Sequence, residues 1–418
     1  MKNKNDSYIR SSKLSINDSN TNRKEKVNSF IEEYTRTTQF FVEYLWNNFT
    51  LEDRIPSLIP KEITSQANTW LAARAIQASA KQASGIVRGT RQKQKKRQKM
   101  YEQLLEKGNT KQAKKLKKII DKAKISKPDL KNVCPELDSR FVKFDLNNHT
   151  TFDGWITLTN LGNKIKIILP VKKSRHFNDM FEKGNLKKGI RLHRNAITFM
   201  FEIPKVETIE EEKVNKTIGI DIGQKDCFYT SDGQKPIKDL HGHTLDSIQS
   251  KMSRQQKGSK AFRRSQEHRK NYINMVLNAI HFESFDRINI EKMKNLRYKS
   301  RTSRKLSHWT YTLIDKKIKS ISEETGVLLN EIDPCYTSQR CSRCGWTRRT
   351  NRNGKLFFCP ACGNTCDADH NAAMNISLTL PVISRKQRRR QINKKGFYWI
   401  AKGQEFIVPD VQEFLIVR

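Results

Sequence analysis

A chain of 418 residues with 81 lysines and arginines against 43 acids carries a formal charge of +38. That excess calls for a polyanionic partner, of which phosphate backbones are the commonest, over the plainer reading of a well-solvated basic surface. No apolar run reaches the length of a membrane span, and the opening MKNKNDSYIRSSKLSINDSN lacks a signal-peptide core, so no membrane partner and a cytoplasmic setting are expected.

Residues 1–25 are polar, with one alternating stretch, YIRSSKLSI (8–16), that reads as a short strand. From Lys26 to Phe49 the positions Phe30, Tyr34, Phe40, Phe41, Tyr44 and Leu45 give a helix with one apolar face. After Pro56 and Pro60 a second helical region runs from about Thr64 to Ala123, starting alanine-rich and ending basic. Residues 81–126 hold 16 lysines and arginines against Glu102, Glu106 and Asp121. Lys95, Lys96 and Arg97 lie in this run, which reads either as an RNA-facing segment or as an ordinary solvated helix face.

Around Pro128 the texture changes. FVKFDL, GWITLTNL, KIKIILPV, KGIRLHR and AITFMFEI alternate or cluster β-formers between turn residues, which predicts a small barrel or half-barrel over roughly 135–206. KVETIEEEKVNK (205–216) reads as a linker. Beyond it come a strand and hairpin (217–233), a basic helix (about 244–281), the strand RINIEKM (287–293), a helix closed by Gly326, and the strand VLLNEID (327–333). That alternation predicts an α/β layer fold.

Three acids stand out on separate elements of that layer. Asp221 sits in the apolar strand GIDIG, where an unpaired buried carboxylate costs several kcal/mol; taken alone it is either a turn cap or a functional group. Glu291 ends RINI in the same way. Asp369 opens DADHNAAMNI, where a helix aligns it with Ala372, Ala373 and Ile376 on one face, and Asp367 suits the N-cap. Three carboxylates converging on one point need cations, and hard oxygen donors select Mg²⁺ or Mn²⁺. Two such ions suit phosphodiester hydrolysis without a side-chain nucleophile.

Cys341, Cys344, Cys359 and Cys362 read C-x2-C-x14-C-x2-C, each pair trailed by a glycine. The spacing predicts a closed tetrahedral Zn²⁺ site of structural kind, with no open position for water. Its insert, GWTRRTNRNGKLFF, carries four positive residues and three aromatics, and is either a plain hairpin or a nucleic-acid contact. Cys134, Cys227, Cys335 and Cys366 stand apart from this pattern and read as small buried or half-buried residues.

TIGIDIG, then INIEKM, then PCYTSQRCSRCG…FFCPACG…DADHNAAMNI resemble the split RuvC nuclease and zinc ribbon of TnpB proteins, the RNA-guided nucleases of bacterial insertion sequences, similar to compact type V CRISPR effectors. The resemblance covers roughly 214–378. It implies an α+β multidomain chain: a helical recognition domain (26–127), a β-barrel wedge domain (128–210), and an RNase H-like RuvC domain (211–334 and 367–378) interrupted by the zinc ribbon (335–366). It implies guide RNA and target DNA as partners, with one or two copies of the chain on one guide, and base pairing as the reader of sequence. By motif position Asp221, Glu291 and Asp369 take the catalytic role, and Arg340, beside the first zinc ligand, is expected as a phosphate contact. The resemblance implies an RNA-guided DNA endonuclease tied to a transposable element; rival readings are a CRISPR-associated compact type V effector, a guide-directed repressor without cleavage, which loses one or more acids, and a strand-transfer transposase, for which no HUH pair is present. Residues 379–418 extend beyond the family's final helix: RKQRRR reads as a basic tail, while FYWIAKGQEFIVP has strand texture and no assigned role.

Overall fold

The computed structural model describes residues 7–106, 108–125, 127–146, 150–207, 210–292 and 311–401. Parts of the expected leading segment, linker, INIEKM strand, following helix and C-terminal extension (residues 1–6, 208–209, 293, 308–310 and 402–418) lie outside them. The chain divides into two compact units, Met1–Pro204 and Lys205–Arg418.

The first unit begins with strand β1 (Ser7–Ser15) and helix α1 (Thr21–Asn48), whose N-cap Asn20 accepts from the amide of Arg23 at 3.1 Å. Helix α1 buries Val27, Phe30, Ile31, Tyr34, Phe41, Val42 and Leu45, a spacing of three and four that makes one apolar face. A short α2 (Lys61–Thr64) leads to α3 (Ala73–Glu106), which meets α1 through small residues, Ala75, Ser79, Ala80, Ala83 and Ser84. Gly108 then breaks the expected single helical region, and α4 (Thr110–Ile125) packs back on α3.

The strands β2 (Glu136–Leu137), β3 (Val142–Asp145), β4 (Gly154–Leu158) and β5 (Ile167–Val171), helix α5 (Arg175–Lys183), and strands β6 (Asn185–Leu192) and β7 (Ala196–Pro204) follow. They form two sheets, β1-β7-β6-β2 and β3-β4-β5, and among the described residues no closed barrel. The expected barrel is corrected on physical grounds: β2 spans only two residues, too short to carry pairing across to β3. Helices cover the apolar faces instead, since Val27, Phe30, Tyr34 and Phe177 share one core with Ile156, Leu169, Phe199 and Phe201. YIRSSKLSI does join the β region, pairing antiparallel along β7 from Ser7↔Pro204 to Ser15↔Ala196. The line drawn at 127/128 crosses this shared core, where Thr35 Oγ1 accepts from Val133 N at 3.2 Å and Gln39 Oε1 from Leu130 N at 3.0 Å.

The second unit carries β8 (Thr217–Asp221), β9 (Tyr229–Thr230), α6 (Leu245–Arg254), α7 (Lys260–Asn278), β10 (Arg287–Glu291), α8 (Tyr311–Thr325) and β11 (Leu328–Ile332). The expected helix over 244–281 is two, separated at Gly258, with Ser259 capping the second. Their sheet runs β11-β10-β8-β9, with β8, β10 and β11 parallel and β9 returning antiparallel. The ribbon strands β12 (Trp346–Thr347), β13 (Arg352–Asn353), β14 (Leu356–Phe358) and β15 (Thr365–Asp367) precede α9 (Ala368–Ser377), α10 (Arg385–Arg389) and β16 (Phe397–Tyr398). No helix among the described residues is long and apolar enough to cross a membrane.

Candidate active site and metal centre

Strands β8 and β10 have the same burial pattern, three buried residues between half-exposed ends, because both lie at the centre of a sheet covered on its faces. Their parallel register pairs Ile290 with Ile220, so Glu291 and Asp221 are the next residues on each strand, at adjacent carboxyl ends. That edge is where open α/β sheets collect their ligands.

Helix α9 brings the third acid. Asp367 caps it, accepting from the amides of Asp369 at 2.8 Å and His370 at 3.1 Å. Ala372, Ala373 and Ile376 are fully buried. The helix can lie on β8 because residue 219 is glycine: a Cβ there would stand 2.1 Å from the carbonyl oxygen of Ala373 and 2.3 Å from the amide of Ser377. Asn289, buried in mid-strand, donates to the carbonyl of Ile376 at 2.9 Å and so satisfies an end of α9 that water does not reach.

The electrostatics join the three acids. Burial first, then the charges of Glu291 and Asp369, push the Asp221 carboxyl up to about 7, against the opposing pull of Arg352 and Lys355. Burial also pushes Glu291 up, while a 2.5 Å hydrogen bond from Thr337 Oγ1 to Glu291 Oε1 favours its charged form. Asp369 accepts from Arg352 Nη2 at 2.5 Å and from Lys355 Nζ, which also reaches Asp226. Among the described residues, only the four ribbon cysteines bring three or more potential ligand atoms within 4.8 Å of one another. The acids are therefore electrostatic neighbours whose oxygens are not gathered as a closed cage, with two side-chain cations answering Asp369. A donor set of three carboxylates crowded at one sheet edge is one that divalent, oxygen-seeking cations fit.

The cysteine quartet is gathered. Cys344 and Cys359 sulfurs lie 3.5 Å apart, and Cys341 and Cys362 sulfurs 3.7 Å. Four thiolates around tetrahedral zinc stand about 3.8 Å apart for Zn–S bonds near 2.3 Å, so the quartet could hold that ion. Gly345 and Gly363 take positive φ, 77° and 69°, turning each knuckle. Of the remaining cysteines Cys227 is buried and Cys134, Cys335 and Cys366 are half-buried.

Arg340 corrects the expectation of a phosphate contact: it is fully buried, and its guanidinium donates to the carbonyl of Trp399 and to Asn375 Oδ1, each at 2.6 Å. Lys95 and Lys96 are exposed on α3 and Arg97 half-exposed, with Lys95 Nζ 3.6 Å from Glu52. Sequence reasoning passed over Arg352, Lys355, Thr337 and Asn289. The first two were visible only as members of a basic insert, and the last two had no signal short of the fold.

A protein-family model described as Cas12f1-like, TNB domain matches residues 311–376. The CRISPR-associated endodeoxyribonuclease Cas12f1 of Sulfoacidibacillus thermotolerans is 41% identical over 118 residues, 28% of this chain and 27% of that protein. The TnpB-like protein of Aquifex aeolicus is 36% identical over 92 residues, 20% of this chain and 30% of that one. Part of the chain is therefore similar to TnpB-like and Cas12f1 proteins. A putative transposase, A625R of Paramecium bursaria Chlorella virus 1, aligns more broadly, at 26% identity over 245 residues, 51% of this chain and 55% of the viral protein. In three dimensions the chain is similar to the mini-RNA-guided endonuclease CRISPR-Cas phi3, with a TM-score of 0.51 at 10% identity, over 89% of this chain and 92% of that one; at that identity the likeness is one of fold. The chain spans less than a third of the length of the Cas12f1 and TnpB-like relatives named here.

Proposed function

We propose that the chain is an RNA-guided DNA endonuclease in which Asp221, Glu291 and Asp369 hold divalent cations for hydrolysis of DNA phosphodiesters. The observation that carries this reading is the placement of Asp221 and Glu291 at adjacent strand ends with Asp369 in the first turn of the helix packed on β8, a proximity that also pushes the Asp221 carboxyl up. Such crowding destabilises a purely structural site, and it suits a metal-dependent one. Relatives described as endodeoxyribonucleases support the reaction class. All three acids are present, which favours cleavage over a binding-only repressor.

Bound there, Mg²⁺ or Mn²⁺ would supply an activated water and charge stabilisation at the departing 3′ oxygen. The chain's own groups do the rest. Thr337 fixes one oxygen of Glu291. Burial and the neighbouring acids favour the protonated form of Asp221, so a cation held there would compete with that proton. Arg352 and Lys355 balance Asp369 and stand ready to meet phosphate charge once it is engaged elsewhere. The cysteine quartet, as a zinc site, would stabilise the ribbon that delivers both.

Residues 26–127 would serve as the recognition part and 128–210 as the wedge gripping guide RNA and the motif beside the target. Lys95, Lys96 and Arg97 would add positive charge along α3 for a phosphate backbone. Relatives carry both CRISPR and transposase descriptions, and the mobile-element setting is our preferred one. The test is Asp221→Ala in protein purified with its co-expressed RNA. Cleavage of matched DNA should fall to background while RNA and target binding persist; undiminished cutting would remove Asp221 from the site.

A further inference from the structure

The stretch after α10 found no role in the reaction, yet it is built into the ribbon. Strand β16 pairs antiparallel with β12, Trp346 opposite Tyr398 and Thr347 opposite Phe397, and the Trp346 and Tyr398 rings lie 4.9 Å apart. The amide of Trp399 donates to the carbonyl of Gly345 at 2.9 Å, and a Cβ on Gly345 would stand 2.9 Å from the Trp399 carbonyl oxygen. The first knuckle thus closes directly onto this segment.

We infer that the segment around Trp399 is a working part of the nuclease, positioning Asp369 through Arg340 and the two asparagines of α9; this rests on the metal-site reading above. Arg340 Nε donates to the Trp399 carbonyl and Nη1 to Asn375 Oδ1, each at 2.6 Å, and the residue is fully buried. The carbonyl of Arg340 accepts from Asn371 Nδ2 and Asn375 Nδ2, both at 2.7 Å. Asn371 Oδ1 accepts from the amide of Ser342 at 2.9 Å, and Asn375 Nδ2 also donates to the carbonyl of Thr337 at 2.9 Å.

Asn371 and Asn375 stand four residues apart, on one face of the helix whose first turn carries Asp369. The same Thr337 fixes Glu291. One buried guanidinium therefore ties α9, the first knuckle and the C-terminal segment together. Buried charge tolerates no lost partner, so disturbing Trp399 obliges Arg340 to move, and α9 with it. Arg340 acts here as a positioning residue, touching neither DNA nor metal.

The experiment compares wild type, Trp399→Pro, Arg340→Met and the double variant, each purified with co-expressed RNA. Trp399→Pro removes the amide bonded to Gly345, and with it a buried indole whose Nε1 donates to the carbonyl of Pro381 at 3.0 Å, so the carbonyl that Arg340 uses loses its anchors. The expected result is a single-turnover cleavage rate about 100-fold lower in each single variant, with target affinity and zinc content at wild-type values. The double variant should be no slower than the worse single, since both cut one link. Wild-type rates, losses that multiply, or a fall matched by lost zinc or lost target binding would each overturn the inference. Hydrogen exchange at residues 371–377 gives a reading independent of cleavage: equal acceleration in both single variants supports the link, and unchanged protection refutes it. Should wild type itself fail to cut, the nuclease reading fails, and this exchange experiment still decides the link.

Discussion

The second unit contains two candidate metal centres that differ in how they are made. The cysteine quartet draws all its ligands from two knuckles 15 residues apart, with sulfurs already 3.5–3.7 Å from their partners. The acid site draws on β8, β10 and α9, across nearly 150 residues of chain, and one of its carboxylates is answered by Arg352 and Lys355. The contrast teaches that a soft, closed site can draw all its ligands from one short stretch of chain. A hard, open site assembled from distant segments relies on side-chain cations to hold its acids at one edge.

The comparison breaks most severely at the ribbon. Cys341→Ser should lose zinc, ribbon structure and cleavage together, because binding of a structural zinc is worth on the order of 10 kcal/mol; metal analysis and circular dichroism check it, and a folded, active, zinc-free variant would defeat the assignment. Gly219→Val attacks the other site's scaffold. Its Cβ would meet the α9 backbone at 2.1 Å, so a loss of about 3 kcal/mol in denaturant unfolding is expected. Asn289→Leu leaves the carbonyl of Ile376 without its donor and should cost about 2 kcal/mol, with cleavage reduced because α9 loosens.

Finer effects concern charge. The folded Asp221 binds its proton more tightly than the unfolded chain does, so metal-free stability should fall as pH rises from about 4 through about 7. The same proton competes with metal, and apparent Mn²⁺ affinity should climb by up to about tenfold per pH unit before flattening above about 7. Lys355→Met removes one cation from Asp369 and should tighten Mn²⁺ binding about two- to fivefold, the scale of a half-exposed ion pair.

The two sites were also unequally legible. The quartet's residues follow from spacing, because its ligands are neighbours in the chain. Asp221 and Glu291 drew notice as acids in apolar strands, and Ala372 and Ala373 as the flat face of a helix, since each pattern is local. What escaped is what folding brings from afar: Thr337 on Glu291, Asn289 under α9, and the cations of the insert on Asp369. Arg340 was misread for the same reason, since a basic residue beside a knuckle looks solvent-facing until Trp399 and Asn375 enclose it. The barrel was expected from alternating strands, which report half-buried sheets but not whether their edges meet.

A Mn²⁺ titration followed by electron paramagnetic resonance tests the central claim most directly, comparing wild type with Asp221→Asn, Glu291→Gln and Asp369→Asn, each with its zinc retained. The account predicts that every single change weakens or abolishes the same Mn²⁺ site. Wild-type Mn²⁺ binding in all three variants would contradict it.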